Sequence, residues 1–293
     1  MAEITTSTIM DLRARTNAGM MDCKRALVET GGNMEEAIKK LRLQGLAIQV
    51  KRAEKEANQG IIACAVDADS QATALVEVNC ETDFVAKTDG FKAFVDKVAS
   101  KVLAGDVNVA ESMKDDVVGI VASTGENVKI RRVARFVRDG HGVVESYIHM
   151  GGKVGVMVEV GCERPESAQS PELRALAHDL ALHIAAAAPR WLDASEVPSD
   201  VLESEKAIYR QDPKLAGKPE KIVEGALQGK VRKFYGDVCL VDQVFVIDGE
   251  SRVGKVVEAA GGAVGGFVRY ALGEGLAKRE EDFAAEVAAT AGR

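Results

Sequence analysis

The sequence contains an internal repeat that limits the folds it can adopt. Residues 60–81 read GIIACAVDADSQATALVEVNCE, and residues 142–163 read GVVESYIHMGGKVGVMVEVGCE, 82 positions later and without a gap. Each copy alternates small and β-branched residues on either side of a turn, which is typical of a β-hairpin. The repeat therefore predicts two related hairpin units in one chain.

The two copies diverge directly after their shared ending, VEVxCE. The first continues with Thr82, Asp83, Phe84 and Val85, and the second continues with residues 164–167, RPES. An aromatic side chain in a short polar connection is unusual unless another surface covers it. Phe84 is therefore a candidate contact for a partner, although a ring folded back onto its own domain is an open alternative.

Composition excludes several classes of protein. The 293 residues are 46% hydrophobic and 28% charged, which is typical of a soluble globular protein with two or three packed units. A net charge of −7 argues against bulk attraction to nucleic acid or anionic membrane. The sequence has no long apolar run, no signal or transit segment and no CxxC pair, so we predict a cytoplasmic protein without a disulfide framework or zinc site.

Residues 1–55 are predicted to form a three-helix N-terminal domain. Ser7 or Thr8 can cap the first helix, the second runs from about Met20 to Glu29, and Asn33 can cap the third. On the second helix Met20 shares a face with the apolar core residues, whereas Met21 lies about 100° away. The spacing leaves open whether the methionines are at the edge of the core or on a binding surface.

The remaining sequence predicts a duplicated α+β core with antiparallel sheets. Its first half, 56–140, should contain strands at 60–67, 72–79 and 128–137, a helix capped by Asp89 and another helix near 108–123. Its second half, 141–276, should contain a hairpin at 142–160, a helix ended by Pro189, an inserted helical hairpin at about 198–234, and strands at 238–247 and 266–272. A C-terminal helical module, 277–293, completes the prediction.

Catalytic and metal-binding motifs are absent from the sequence. Gly151 and Gly152 lie where the repeat requires a hairpin turn, and no phosphate-loop pattern surrounds them. His178 and His183 are separated by about 140° on one helix and cannot share a metal, so both are predicted to be surface or half-buried residues. We predict no catalytic residue, no metal site and no cofactor.

The segment 129–138 carries Arg131, Arg132 and Arg135 on a predicted strand. Alternation along a strand favours a solvated basic face. The alternative is an RNA-binding translation accessory that uses this strand, although aromatic residues for base stacking are only 4% of the chain.

Four motifs together resemble the bacterial elongation factor Ts family: MMDCKRAL at 20–27, VNCETDFVAK at 78–87, GENVKIRR at 125–132 and FAAEVAA at 283–289. The resemblance runs essentially from end to end. It implies a ubiquitin-associated-like (UBA-like) N-terminal domain, a two-part α+β core, a helical hairpin that some members use for dimerisation, and a C-terminal helical module. Pro213 within the hairpin would kink or end a helix, so the sequence leaves open whether the hairpin forms a homodimer or a two-to-two complex.

The partner implied by the resemblance is the GTPase elongation factor Tu, from which the family releases GDP without bond chemistry. The same resemblance implies that Asp83 and Phe84 act near the magnesium and phosphate site of that GTPase. It assigns the remaining partner contacts to the flanking Thr82 and Val85, to His149 in SYxH, and to Arg13, Met20, Met21, Lys24, Val246 and Ile247. No membrane and no direct nucleic-acid partner is expected.

Overall fold

The computed structural model describes residues 4–16, 18–68, 71–106, 108–168 and 170–276. Helices and two antiparallel sheets alternate along the chain, which confirms the α+β class. The strands are β1 (Gln59–Val66), β2 (Ala72–Cys80), β3 (Lys129–Val137), β4 (Gly142–His149), β5 (Val154–Cys162) and β6 (Gly262–Ala271). The helices are α1 (Thr6–Thr16), α2 (Met20–Glu29), α3 (Met34–Arg52), α4 (Asp83–Ala86), α5 (Asp89–Leu103), α6 (Val109–Ser112), α7 (Lys114–Thr124), α8 (Pro165–Ala168), α9 (Pro171–Ala187), α10 (Ser199–Arg210), α11 (Glu220–Val238) and α12 (Val253–Ala259).

Helices α1 to α3 pack around a small apolar core that includes Leu12, Cys23 and Leu27. The Asn33 side chain accepts hydrogen bonds from the backbone N–H groups of Glu35 and Glu36, as predicted for the cap of α3. The first helix begins earlier than predicted, at Thr6, because Thr5 and Thr8 exchange side-chain and backbone hydrogen bonds at its start.

The duplication is visible in the pairing of the strands. Sheets β1-β2-β3 and β4-β5-β6 have the same antiparallel order, and Gly60 pairs with Asn79 as Gly142 pairs with Gly161. Each central strand also has a register shift at the corresponding place, directly after Glu77 and directly after Glu159. Two copies of one backbone design therefore make up the core.

One long helix covers each sheet. The predicted apolar face of α5 is buried against the first sheet, and that of α9 is buried against the second. Thr88, not Asp89, caps α5, because its hydroxyl accepts the N–H of Phe91. Helix α9 ends at the predicted place, directly before Ala188 and Pro189.

The two sheets pack against each other through Ile62, Leu75 and Met157. A Cβ atom on Gly155 would lie 2.4 Å from Cγ2 of Ile62, so only glycine permits this approach. Cys64 and Ser146 occupy corresponding positions in the two copies, and their Sγ and Oγ atoms are 3.5 Å apart. The contact between corresponding residues indicates that an approximate two-fold axis relates the hairpins.

The predicted solvated basic face on β3 is wrong for Arg131 and Arg132, whereas Arg135 is exposed as predicted. Arg131 and Arg132 both pair with the buried carboxylate of Glu77, and Arg135 donates to the carbonyl oxygen of Leu103. The register shift after Glu77 brings two neighbouring arginines to one carboxylate. The backbone N–H of Gly273, beyond β6, donates to the same carboxylate at 2.9 Å, so Glu77 also joins the two halves of the core.

The inserted hairpin consists of α10 and α11, which pack against each other. Pro213 begins a short 3-10 turn between them and interrupts neither helix. The predicted strand at 238–247 is wrong: α11 continues to Val238, and a 3-10 turn follows, with isolated bridges from Cys239 to Trp191 and from Val244 to Arg252. Strand β6 begins at Gly262, four residues before the predicted start. The predicted C-terminal helix lies outside the described residues.

Candidate partner-binding surface

Among the residues that the structure describes, Phe84 is the most exposed large apolar side chain, at 79% of its full accessible area. It lies on α4, a four-residue helix directly after β2. The Thr82 hydroxyl caps this helix by accepting the N–H of Val85 at 3.3 Å, and Ala86 is buried beneath it. Because the inward side of α4 is anchored, the ring projects into solvent and is not folded back onto its own domain.

The second copy has the same local structure with different outward residues. Helix α8 follows β5 as α4 follows β2, and Ala168 is buried at the position that corresponds to Ala86. Glu166 is the counterpart of Phe84 and is exposed. A charged side chain on this turn is well solvated, whereas an exposed aromatic ring is not.

The carboxylate of Asp83 lies beside two lysines. Lys87 donates to it at 2.6 Å, one turn along the chain. This hydrogen bond lowers the pKa of Asp83, and the charges of Lys87 and Lys153 act in the same direction. Lys153 belongs to the turn between β4 and β5, so the structure brings the hairpin tip of the second copy close to the α4 helix of the first.

His149 lies at the end of β4, next to that hairpin turn, and its side chain is exposed. The Tyr147 hydroxyl and Nδ1 of His149 are 2.8 Å apart, and the two rings are tilted against each other. Met150 follows with a φ angle of 50° and is also exposed. The tip of the second hairpin therefore exposes the imidazole of His149 and the thioether of Met150. It lies next to the face of the core that carries Phe84.

All four predicted contact residues of the N-terminal helices are exposed: Arg13, Met20, Met21 and Lys24. Met21 is 70% exposed and Met20 is 40% exposed, while Cys23 on the same helix is fully buried. Both methionines therefore lie outside the three-helix core. Flexible thioethers flanked by two cations are suited to an adaptable protein contact.

Val246 and Ile247 lie in an irregular loop, where each is about half exposed. A fully buried histidine holds this loop: Nδ1 of His183 accepts the backbone N–H of Val246 at 3.2 Å, and Nε2 lies 2.9 Å from Oε1 of Gln243. Since Nδ1 accepts, Nε2 carries the proton and donates to Gln243. Burial lowers the pKa of His183, which keeps the ring neutral. The predicted surface or half-buried location of His183 is therefore wrong.

Comparison with known proteins decides the family. The family model described as "Elongation factor TS" matches residues 81–274. The chain belongs to the elongation factor Ts family. It is 45% identical to "Elongation factor Ts" of Trichlorobacter lovleyi, with 99% of each chain covered, and 44% identical to "Elongation factor Ts" of Rhodospirillum rubrum, also with 99% of each chain covered. The protein of the same name from Nitratiruptor sp. is 42% identical, with 98% of each chain covered.

Membership of the elongation factor Ts family makes the protein a translation elongation factor. Among the described residues, no His, Cys, Asp and Glu side chains cluster in a way that could hold a metal. No helix in the described ranges has the length and apolar character needed to cross a bilayer. The candidates for binding are the exposed apolar residues on α2, α4 and the loop after α11.

Sequence reasoning missed two residues that support the candidate surface. Glu126 lies within the family motif GENVKIRR, yet its role is visible only from its hydrogen bonds to the segment before α4. Gln243 supports the Val246 loop through His183 and also donates to the carbonyl oxygen of Asp237 at 3.0 Å. Local spacing gives no signal for either residue. Glu126 binds a segment more than 40 residues away, and Gln243 acts through a histidine whose burial only the structure shows.

Proposed function

We propose that the protein is the guanine-nucleotide exchange factor of elongation factor Tu and promotes GDP release by inserting the Asp83–Phe84 turn near the magnesium and phosphate site of that GTPase. The observation that carries the proposal is the 79% exposure of Phe84 on an anchored helix. Burial of a phenylalanine ring contributes up to about 3 kcal/mol, which can oppose the packing of a helix in the partner.

Exchange by this route requires no bond chemistry. A protein that binds the empty GTPase more tightly than the GDP-bound GTPase must weaken GDP binding by the same factor. The partner holds GDP through a phosphate-binding loop and a magnesium ion, and disturbing either removes electrostatic attraction for the nucleotide. The protein is accordingly proposed to act as an exchange factor and not as an enzyme, in the cytoplasm where translation takes place.

Several surfaces would hold the GTPase while Phe84 inserts. His149 would contact the nucleotide-binding domain near the phosphate loop, and the N-terminal domain would bind the same domain through Arg13, Met20, Met21 and Lys24. Val246 and Ile247 would contact a different domain of the partner. Thr82 and Val85 flank the inserted ring. The support for this arrangement is that each of these regions projects from a well-packed element.

The domain organisation proposed for this function is a UBA-like N-terminal domain, two core halves, the helical hairpin and a C-terminal helical module. Ile208 on α10 and Ile222 on α11 are exposed apolar residues on the hairpin. They are compatible with either a one-to-one complex or a two-to-two complex that pairs two hairpins. The mass of the complex with nucleotide-free GTPase distinguishes these two assemblies.

The deciding experiment compares two corresponding residues of the duplicated core. The release of a fluorescent GDP from elongation factor Tu is measured with the wild-type protein, with Phe84→Ala and with Glu166→Ala. We expect wild type and Glu166→Ala to accelerate release equally, and Phe84→Ala to reduce the acceleration by about tenfold to a hundredfold because the buried ring is lost.

Two results would contradict the proposal at different levels. No acceleration by the wild-type protein would reject the exchange function. Equal acceleration by wild type and Phe84→Ala would retain the function and remove Phe84 from its mechanism.

The alternative of RNA binding through 129–138 has less support. Arg131 and Arg132 are engaged by Glu77, and Arg135 is engaged by a backbone carbonyl. Arg131 and Arg132 are therefore not free to follow a phosphate backbone, which leaves exposed Arg135 alone among the three arginines. RNA binding with a steep salt dependence that is lost when these arginines are neutralised would nevertheless favour the alternative.

A further inference from the structure

The Glu126 side chain bridges two segments that are distant in sequence. It follows Gly125, which ends α7 in the left-handed conformation, and it reaches the turn between β2 and α4. Its Oε2 atom accepts the backbone N–H groups of Glu81 at 3.1 Å and Thr82 at 3.0 Å, and its Oε1 atom accepts the Thr82 hydroxyl at 2.6 Å. One carboxylate thus receives three hydrogen bonds from the two residues that precede α4.

These bonds determine how Thr82 caps the helix. Because the hydroxyl proton of Thr82 is directed to Glu126, the lone pairs of the hydroxyl oxygen are free to accept the N–H of Val85. Helix α4 has only four residues, and so short a helix is not stable without its cap and its surroundings. The direction of the Phe84 ring therefore depends on the Glu126 carboxylate.

The same junction is connected to the N-terminal domain. The Glu81 carboxylate accepts the backbone N–H of Asn127 at 2.7 Å and pairs with Arg52 at the end of α3. The Asn127 side chain donates to the carbonyl oxygen of Lys55 at 2.7 Å. The Glu126 carboxylate thus holds the backbone of Glu81 and Thr82, the Glu81 carboxylate holds the backbone of Asn127, and α3 is joined to this cluster through Arg52. The junction keeps the α4 turn in a set position relative to the three-helix domain.

The second copy lacks this support. The residue that corresponds to Thr82 is Arg164, whose side chain cannot accept a hydrogen bond and so cannot cap α8 as Thr82 caps α4. The chain of hydrogen bonds from the Glu126 carboxylate through the Thr82 hydroxyl to the Val85 amide occurs in the copy that carries the exposed Phe84 ring.

We infer that Glu126 is a positioning residue for nucleotide exchange, which acts by holding the Phe84 ring in the geometry in which it enters the partner. This inference rests on the proposed exchange function. Glu126 itself is half-buried and acts through Thr82, so it adds to the rate of GDP release and not to the main contacts that hold the complex.

The test uses the full-length protein with Glu126→Ala, Glu126→Gln and the control Glu111→Ala, which removes an exposed glutamate paired with Lys114. The maximal rate of GDP release and the concentration that gives half of it are measured separately. We expect Glu126→Ala to lower the maximal rate about tenfold, since a small misplacement of an acting group costs this much or more, and to change the half-maximal concentration less than about threefold. Glu111→Ala should change neither quantity.

The Glu126→Gln variant provides a rescue. Its amide oxygen can accept the two backbone N–H groups, and its NH₂ group can donate to the Thr82 oxygen, so the turn keeps its geometry without the charge. We expect a maximal rate within about threefold of wild type. A Gln variant as slow as the Ala variant would show that charge is required and would overturn the positioning role.

A double variant separates positioning from general loss of structure. In the Phe84→Ala background, Glu126→Ala should lower the maximal rate by less than about twofold, because the ring through which it acts is absent. An undiminished tenfold effect there, or no effect of Glu126→Ala in the wild-type background, would overturn the inference while leaving the exchange function intact. A wild-type protein that fails to release GDP would reject the exchange function itself.

Hydrogen exchange in the free protein tests the support without any partner. The amide of Val85 should exchange faster in Glu126→Ala than in wild type and Glu111→Ala, whereas amides in the centre of β2 should be unchanged. Unchanged protection of the Val85 amide would overturn the proposed support.

Discussion

The turns that follow the two repeated hairpins have the same backbone plan and different surfaces. Both place a four-residue helix after the central strand, and both bury an alanine beneath it, Ala86 in one and Ala168 in the other. The first exposes Phe84 and supports its helix with Glu126, whereas the second exposes Glu166. The comparison shows that the two copies share their buried positions and differ at outward positions, where substitution does not disturb the core.

The same contrast occurs inside the sheets. The extra residue at the register shift is Arg131 in the first sheet and Gly265 in the second. Glu77 is fully buried beside the first shift and receives two guanidinium groups, while its counterpart Glu159 is only partly buried. Burial alone would raise the pKa of Glu77, but hydrogen bonds from Gly273, Arg131 and Arg132 outweigh it and lower the pKa. In the first copy, therefore, the register shift places Glu77 and two arginines together in an internal ionic junction.

The prediction with the largest expected effect tests the ionic junction at Glu77. Glu77→Gln should lower the free energy of unfolding by about 3 kcal/mol, because it removes the charged partner of partly buried Arg131 and leaves Arg132 with Glu274 alone. Glu159→Gln, at the corresponding position, should change it by less than about 1 kcal/mol. Urea denaturation of both variants measures the difference. Similar losses in the two variants would show that the burial of Glu77 has no special energetic role.

A smaller effect on stability is expected at His183, which occupies the position that Lys101 of α5 has in the first copy. His183→Asn should cost about 1–2 kcal/mol at pH 7.5, since the contact to Gln243 is lost. The folded-state pKa of His183 lies below its unfolded value, so the unfolded chain binds more protons and stability falls as the pH drops below about 6.5.

The measurement for His183 is the slope of unfolding free energy against pH between 7 and 5. Wild type should lose stability more steeply than His183→Asn over this range. The exposed histidines His141, His149 and His178 are present in both proteins and cancel in the comparison. Parallel slopes would mean that His183 is not held neutral in the folded protein.

The smallest expected effect concerns the ends of the two covering helices. Gly105 provides the left-handed residue after α5, whereas Ala188 adopts a φ angle of 48° after α9. Ala188→Gly should stabilise the protein by about 0.5–1 kcal/mol, because the left-handed conformation is unfavourable for a residue with a Cβ atom. Differential scanning calorimetry measures the shift, and an unchanged or lower midpoint would contradict the expected strain.

The sequence predicted most helices and hairpins because their signals are local. The cap of α3 at Asn33, the apolar faces of α5 and α9, and the paired hairpins all follow from spacing within about 20 residues. The strand predicted at 238–247 failed for the opposite reason. Its alternating residues form a turn and a loop because His183, some 60 residues earlier, accepts the backbone N–H of Val246.

The outward residues of the candidate surface were also accessible to sequence reasoning. The divergence after VEVxCE singled out Phe84, the spacing of Met20 and Met21 left a core-edge position and a binding surface both open, and the family resemblance supplied the other contact residues. The support beneath them was not accessible. Glu126 and Thr82 are 44 residues apart, and nothing in local periodicity indicates that a carboxylate will receive that hydroxyl.

Local pattern and duplication by themselves determined the α+β class, the two hairpin units and the place where they diverge, because hydrophobic periodicity and turn residues act over short distances along the chain. Only the tertiary structure decided that the ring of Phe84 stands in solvent, that Arg131 and Arg132 face a buried carboxylate and that His183 is enclosed and neutral. Each of these depends on burial and on hydrogen bonds between remote segments, and folding alone brings those segments together.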